Sequence, residues 1–126
     1  MNIFVGCSSR DVTDNVKWSR YCTATLEVTK FIIAHKHTLV FGGCARGLMG
    51  LMYKCMLLNK ANIIVAIPQA YINDAEELFY SNLFDFSTVS ERKDWIFKNT
   101  SMHIFLPGGI GTIDELFSSI EAKRCG

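Results

Sequence analysis

The stretch Pro107–Glu115, which reads P-G-G-I-G-T-I-D-E, constrains the fold more than any other part of the chain. The apolar run Met102–Leu106 precedes it and apolar residues at helical spacing follow it, which predicts a strand, a glycine turn and a helix in succession. Glycines let the backbone approach a ligand closely. A helix start adds unpaired N–H groups and the positive end of the helix dipole. The stretch therefore predicts an anion site, most simply a site for a phosphate.

The same stretch has a second interpretation that requires no ligand. Thr112 and Glu115 have the spacing of a capping box, in which the two side chains satisfy the first N–H groups of a helix. Carboxylates such as those of Asp114 and Glu115 are also common in a first helical turn, because they complement the helix dipole. The spacing alone leaves both the phosphate site and the capped helix open.

Apolar runs alternate with helical patterns along the rest of the chain. The predicted strands are Ile3–Val5, Thr38–Phe41, Ile63–Ile67 and His103–Leu106. The predicted helices begin at a cap on Thr13 or Asp14 and end near His35, span 47–58 and 90–99, and follow the Pro107–Glu115 stretch. Between them, 74–80 is expected as a short helix and 84–89 as a strand or a loop. Because the strands lack clean alternation, we expect an α/β fold with a parallel sheet covered by helices on both faces.

Glycine-containing turns follow three of the predicted strands. They begin at Gly6, Gly42 and Pro107, each at the carboxyl end of a strand. Because ligands of open parallel sheets bind at this edge, near a switch in strand order, the three turns together predict one binding site.

Composition and charge exclude several classes of protein. The 126 residues suit one compact domain, and a formal net charge of +1 gives no attraction to nucleic acid or a membrane surface. No apolar run approaches the ~20 residues of a membrane span, and Met1–Val5 enters a strand without the features of a signal peptide. The five cysteines are odd in number and lack C-x-x-C spacing, which predicts a cytoplasmic protein without disulfides or zinc. We interpret His35 and His37 as part of an exposed loop, because no third metal ligand is spaced nearby.

Two further segments each have two interpretations. The turn Gly42–Gly50 lacks the Gly-Lys-Ser/Thr of a Walker loop and the G-x-G-x-x-G of dinucleotide sites, so it is either a tight turn or a ligand loop. The run Glu91–Lys93 favours a solvated, charged helix start, with Thr88 and Glu91 spaced as another capping box. Alternatively, Arg92 could bind a phosphate or carboxylate through two hydrogen bonds.

Taken together, these segments resemble the LOG family, a group of Rossmann-like proteins often mislabelled as lysine decarboxylases. The family has a G-G-G-x-x-G-L-M-G turn, an R-K pair and a P-G-G-x-G-T-x-x-E motif. Here they stand, in the same order and spacing, at Gly42–Gly50, Arg92–Lys93 and Pro107–Glu115. The resemblance covers nearly the whole chain and implies a single nucleotide-binding, Rossmann-like domain over residues 1–126.

The resemblance also implies an activity and a set of residues. Family members cleave the N-glycosidic bond of nucleoside 5′-monophosphates, such as AMP or N6-substituted adenine nucleotides, and thereby activate cytokinins. Carried over by position, Arg92 and Glu115 are the catalytic pair. The implied substrate-binding residues are Gly43, Lys93, Gly108, Gly109, Gly111, Thr112 and Asp114. No cofactor or metal is implied, and a homodimer with sites near its interface is expected.

This chain departs from the family pattern in a few places. Cys44 replaces the third glycine of the turn, Asp114 stands where glutamate is usual, and Ile96 replaces a methionine. Family chains usually continue past the last helix, so the fold is expected to be shortened at its C-terminus. A protein of the same fold that binds or carries a nucleotide without turnover is the alternative function.

Overall fold

Strands and helices alternate along the chain in the computed structural model, which describes residues 1–126. The strands form one parallel five-stranded sheet. The strands are β1 (Asn2–Gly6), β2 (Thr38–Phe41), β3 (Ile63–Pro68), β4 (Asn82–Phe86) and β5 (Met102–Phe105). The helices are α1 (Asn15–Ala34), α2 (Gly47–Leu58), α3 (Val89–Asn99) and α4 (Ile110–Cys125), and a 3₁₀ helix (Gln69–Ala75) follows β3. Every pair of neighbouring strands is parallel, and the order across the sheet is β4-β3-β2-β1-β5.

Side chains of the central strands alternate between two hydrophobic cores. Ile3 and Val5 of β1 lie in the larger core, together with the buried faces of α1 and α2. Phe4, between them, points to the opposite face of the sheet and packs in a smaller core that includes Ile96 of α3. Because helices cover both faces, the central strands bury apolar side chains on both sides of the sheet. The predicted α/β, Rossmann-like architecture is confirmed.

Helix α1 begins directly after Asp14, one of the two residues predicted as its N-cap. The carboxylate of Asp14 accepts hydrogen bonds from the backbone N–H groups of Val16 and Lys17, each at 3.0 Å. These bonds satisfy two of the donors that a helix start leaves unpaired. Asp14, rather than Thr13, is therefore the N-cap residue.

The region between β3 and α3 differs from the prediction. The sequence indicated four definite strands and left 84–89 as a strand or a loop; a fifth strand forms there, at Asn82–Phe86, two residues earlier than that range and at the edge of the sheet next to β3. Its polar and half-exposed residues weaken the hydrophobic signal, as is common for edge strands. The expected helix over 74–80 is wrong, because the helical turns occur earlier, in the 3₁₀ helix Gln69–Ala75.

The order of the strands reverses at β1, which lies between β2 and β5. From β1 the chain continues through α1 on one face of the sheet, whereas β5 continues into α4 on the other. A hydrogen bond of 3.0 Å from the backbone N–H of Ser8 to the carbonyl of Pro107 joins the two loops at this point. Such a reversal opens a crevice at the carboxyl ends of the strands. None of the four helices has the length and apolar character needed to cross a membrane.

Candidate active site

A cleft of about 350 Å³ lies at the carboxyl ends of β1, β2 and β3. Its walls are the loops after these strands, the 3₁₀ helix, the first turn of α3 and the start of α4. The predicted convergence of three glycine turns on one edge of the sheet is thus confirmed. The cleft brings together the side chains of Arg92 and Glu115, which are 23 positions apart in the sequence.

Arg92 and Glu115 form a buried ion pair in this cleft. Nη1 of Arg92 lies 2.5 Å from Oε2 of Glu115, and the two side chains are only 8% and 12% exposed. The guanidinium also donates from Nε to the carbonyl oxygen of Ala66 in β3, at 2.6 Å, and lies 5.9 Å from the ring centroid of Phe4. The carboxylate of Glu115 is therefore held by an arginine that is itself fixed to the sheet.

Two glycines at strand ends leave space for this pair. A Cβ atom on Gly6 would lie 2.9 Å from the ring of Phe105 and 3.4 Å from Oε1 of Glu115. A Cβ atom on Gly42 would lie 3.5 Å from Nη2 of Arg92 and 3.3 Å from a methyl carbon of Met49. Sequence reasoning placed these glycines in turns at a predicted binding site. The structure adds a second reason, which is room for a charged side chain at each strand end.

The interpretation of Glu91–Lys93 as a solvated helix start is wrong for its central residue. Thr88 does cap α3, because its hydroxyl accepts a hydrogen bond of 3.1 Å from the N–H of Glu91. The Glu91 carboxylate, however, accepts from the hydroxyl of Ser87 and does not close a capping box. Arg92 points inward and is buried, because the next turn of α3 packs on the sheet.

The start of α4 has no side-chain cap. Gly109 is the N-cap residue, and no side chain accepts a hydrogen bond from the first N–H groups of the helix. The capping-box interpretation is therefore wrong, because Thr112 lies inside the helix and Glu115 pairs with Arg92 instead. The hydroxyl of Thr112 lies against Gly108, where a Cβ atom would overlap it. What remains at this end of the cleft is an uncapped helix start with a hydroxyl beside it, which is an arrangement that favours an anion.

The other predicted site residues divide into two groups. Gly109, Gly111, Thr112 and Asp114 line the cleft together with the ion pair. The second group lies beside the cleft rather than on its lining, and its members are Gly43, Lys93 and Gly108.

Structural contacts explain the positions of two of these residues, Gly43 and Lys93. Gly43 has a φ of +83°, and a Cβ atom on it would point toward Val65 in the core. Lys93 donates from Nζ to Asp114 at 2.9 Å and to Ser118 at 3.1 Å, so it links α3 to α4. Lys93 thereby orients Asp114, whose side chain is 47% exposed at the rim of the cleft.

The thiol of Cys7 lies close to the ion pair but is not ionised at neutral pH. Burial raises its pKa to about 12, and the nearby charge of Glu115 contributes in the same direction. A thiol needs a lowered pKa or an adjacent base to act as a nucleophile. Cys7 is therefore a small buried residue of the core.

Sequence reasoning missed Tyr71 and Asp74, which line the cleft from the 3₁₀ helix. They belong to the stretch 69–89, where neither hydrophobic periodicity nor a motif marks a functional residue. Only the position of the 3₁₀ helix directly after β3 could have indicated them, since segments at this edge of a sheet face the ligand.

Comparison with known proteins supports the same family as the sequence motifs. A family model described as possible lysine decarboxylase matches residues 49–126. The chain is 33% identical over 109 residues to a probable cytokinin riboside 5′-monophosphate phosphoribohydrolase of Oryza sativa subsp. japonica, covering 84% of this chain and 46% of that protein. It is 30% identical over 128 residues to a protein of the same description from Arabidopsis thaliana, covering 99% and 61%. The chain thus spans about half the length of the curated relatives it matches.

Solved structures share the fold at lower sequence identity. The molybdenum cofactor binding protein from Rippkaea orientalis superimposes with a TM-score of 0.75 at 13% identity, over 97% of this chain and 71% of that one. The molybdenum cofactor carrier protein from Chlamydomonas reinhardtii superimposes with a TM-score of 0.74 at 19% identity, over the same shares. At these identities the likeness concerns the fold alone.

The burial of the ion pair leads to a prediction about stability. Arg92→Met should lower the free energy of unfolding by about 3 kcal/mol, because it leaves the Glu115 carboxylate buried without its partner. In a urea-denaturation double-mutant cycle with Glu115→Gln, the double variant should lose much less than the sum of the two single variants.

The exposed pair Glu121–Arg124 on α4 provides the control cycle, with Glu121→Gln and Arg124→Met. Its coupling should be small, because solvent screens exposed ion pairs. Equal coupling in the two cycles would contradict the buried pairing of Arg92 with Glu115.

Proposed function

Because the chain belongs to the LOG family, whose model is described as possible lysine decarboxylase, we propose that it is a nucleoside 5′-monophosphate phosphoribohydrolase. Its substrates would be AMP or N6-substituted adenine nucleotides, and its products the free base and ribose 5-phosphate. The observation that carries this proposal is the buried Arg92–Glu115 pair, which lies in a cleft next to the uncapped start of α4.

In this proposal the 5′-phosphate binds at the start of α4. The backbone N–H groups of the first helical turn and the hydroxyl of Thr112 are the donors, and exposed Gly109 and Gly111 let the phosphate come close. Nothing lies within 4 Å of a Cβ atom built on either glycine, so the approach is open. A fixed phosphate supplies binding energy that positions the sugar for reaction.

The ribose would then lie over the ion pair. Cleavage breaks the bond between the anomeric carbon and the base nitrogen, and positive charge develops on the sugar as in glycoside hydrolysis. The carboxylate of Glu115 stabilises that charge and orients the water whose oxygen forms the new bond to the anomeric carbon. The base leaves with its bonding electron pair and takes up one proton, so that one water is consumed for each bond broken.

Arg92 acts on this chemistry by holding the carboxylate of Glu115 in place. Its hydrogen bond to the carbonyl of Ala66 fixes the guanidinium relative to β3, so the carboxylate cannot swing out of the cleft. Preorganisation of this kind requires little rearrangement when charge develops. Asp114, oriented by Lys93 at the rim, is positioned to accept a hydrogen bond from a ribose hydroxyl.

The alternative function is binding or transport of a nucleotide without turnover. The fold itself is compatible with it, since solved proteins described as cofactor carriers share this architecture. Glu115 separates the two functions, because a carrier has no need for a carboxylate held against the sugar. For location we expect the cytoplasm, because all five cysteines are unpaired and suit a reducing compartment.

We also propose that two copies associate through α4. Ile110, Ile113, Phe117 and Ile120 form an apolar stripe along this helix and are between 50% and 87% exposed. Contiguous exposed apolar surface of this kind is typical of interaction sites. The stripe starts next to Gly109 and Gly111 of the cleft, so a partner seated on it would lie beside the site.

The hydrolase proposal predicts the behaviour of Glu115→Gln. Incubated with AMP or N6-isopentenyl-AMP, the unchanged protein should release free base, which chromatography can follow. Glu115→Gln should lower turnover about 10²–10³-fold, because the charge that stabilises the sugar is lost.

Glu121→Gln, which changes an exposed carboxylate on the same helix, should retain full activity. If the unchanged protein releases no base but AMP still raises its melting temperature, the carrier function replaces the hydrolase.

The dimer proposal predicts the effect of a charge placed on the stripe. The unchanged protein should have the mass of a dimer by light scattering, and Phe117→Glu should have the mass of a monomer. Leu58→Glu, at an 84% exposed position on α2 away from the stripe, should remain dimeric. A monomeric mass for the unchanged protein would refute association through α4.

A further inference from the structure

One end of the cleft has no role in phosphate binding or in the cleavage step. It is formed by the end of β3, the 3₁₀ helix and the start of α3. Ile67, Pro68 and Val89 supply apolar surface there, and Tyr71 and Asp74 supply the aromatic and charged groups. An inference about this end rests on the proposed function, because that function fixes where the rest of the substrate lies.

The order of the strands sets the distance between the two ends. The proposed phosphate position follows β5, and the 3₁₀ helix follows β3, with β1 and β2 between them. Neighbouring strands lie about 4.8 Å apart, so the two ends are separated by roughly 14 Å. The ion pair lies between the two ends of the cleft. Arg92 donates a hydrogen bond to the carbonyl of Ala66 in β3, and Glu115 lies against Gly6 in β1. A nucleotide with its phosphate at α4 and its sugar over this pair therefore extends its base toward the 3₁₀ helix.

Tyr71 is suited to stack on that base. Its side chain lines the cleft and is 60% exposed, which leaves much of its surface free for contact. Stacking on an aromatic ring is tolerant of base identity, because every base has a π-face. Tyr71 thus explains binding of a base but not a choice among bases.

Asp74 has the chemistry to make that choice. Its nearest ionic partner is Nη2 of Arg46, at 3.9 Å from Oδ1, which is beyond hydrogen-bond distance. The Asp74 side chain is 40% exposed, so its carboxylate oxygens are open to a ligand. An ionised carboxylate only accepts hydrogen bonds, so it binds an exocyclic amino group and repels an exocyclic carbonyl oxygen.

We propose that Tyr71 and Asp74 form the base subsite, and that Asp74 selects bases with an exocyclic amino group over their oxo counterparts. The ligand class is therefore a nucleotide whose base carries an exocyclic amino group, such as adenine. A singly N6-substituted adenine retains one N–H for Asp74, and its substituent extends past the exposed Tyr71 toward solvent.

The test compares AMP with IMP, whose bases differ at position 6, with an amino group in AMP and an oxo group beside a protonated N1 in IMP. The unchanged protein should release base from AMP with a kcat/KM about tenfold or more above that for IMP. Asp74→Asn should reduce this ratio about tenfold, because an amide can turn either a donor or an acceptor toward the base. Asp94→Asn, an exposed carboxylate of α3 outside this cleft, should leave the ratio unchanged.

A second variant tests the stacking. Tyr71→Ala should raise KM for AMP about tenfold, whereas Tyr71→Phe should not. Inhibition by ribose 5-phosphate, which has no base, should be the same in all three proteins. Arg46→Gln should keep the preference for AMP, which separates base selection from loss of the Arg46–Asp74 pairing.

The outcomes separate this inference from the proposed function. Base release with an AMP-to-IMP ratio that Asp74→Asn does not change would overturn the subsite and leave the hydrolase intact. If the unchanged protein releases no base from either nucleotide, the hydrolase proposal fails. Calorimetric titration of the protein with AMP and with IMP then tests the base subsite. Tighter binding of AMP than of IMP, lost in Asp74→Asn, would then support the subsite, and equal binding of the two nucleotides would overturn it.

Discussion

The ion pair between Arg92 and Glu115 is the interaction on which the rest of the site depends. Removing two charges from water is costly, and the cost is offset only where geometry and additional hydrogen bonds are favourable. Here the guanidinium bonds to both the carboxylate and the carbonyl of Ala66, and no buried side-chain polar atom in the chain lacks a partner. The pair joins α3 to α4 across the end of the sheet. It therefore fixes the relative position of the two helices that carry the chemical groups.

The strand order gives this pair its surroundings. Because the order reverses at β1, the chain leaves β1 and β5 toward opposite faces, and the carboxyl ends of the strands remain open. The uncapped start of α4 lies at one side of this opening and the 3₁₀ helix at the other. Phosphate binding, cleavage and base selection are proposed for the start of α4, the ion pair and the 3₁₀ helix, respectively. These proposals follow from the order in which the three parts lie across the sheet.

Much of this arrangement could be predicted from the sequence. The apolar strands, the helix that Asp14 caps and the glycine turn at Pro107 have strong local signals, because each is specified by neighbouring residues. The spacing of Thr112 and Glu115 was ambiguous for a physical reason, since a capping box and a catalytic carboxylate require the same residue types. The capping box is excluded only by a contact with a partner distant in sequence, Arg92.

The remaining features could not be predicted because they depend on tertiary contacts. Arg92 stands between two charged neighbours in a run that is typical of solvent-exposed helix starts, and only packing of α3 on the sheet turns it inward. The strand at Asn82–Phe86 is half exposed at an edge, so its hydrophobic pattern is weak. Tyr71 and Asp74 line the cleft because their 3₁₀ helix follows the end of β3, and no sequence motif or hydrophobic periodicity marks them.

A crystal structure of Glu115→Gln with AMP bound would test the central claim most directly. The account predicts the phosphate at the first turn of α4, within hydrogen-bond distance of the Thr112 hydroxyl, with the anomeric carbon against residue 115. The base should lie toward Tyr71. A phosphate bound at the Gly42–Gly50 turn, or a nucleotide seated in the groove between α3 and α4, would contradict it.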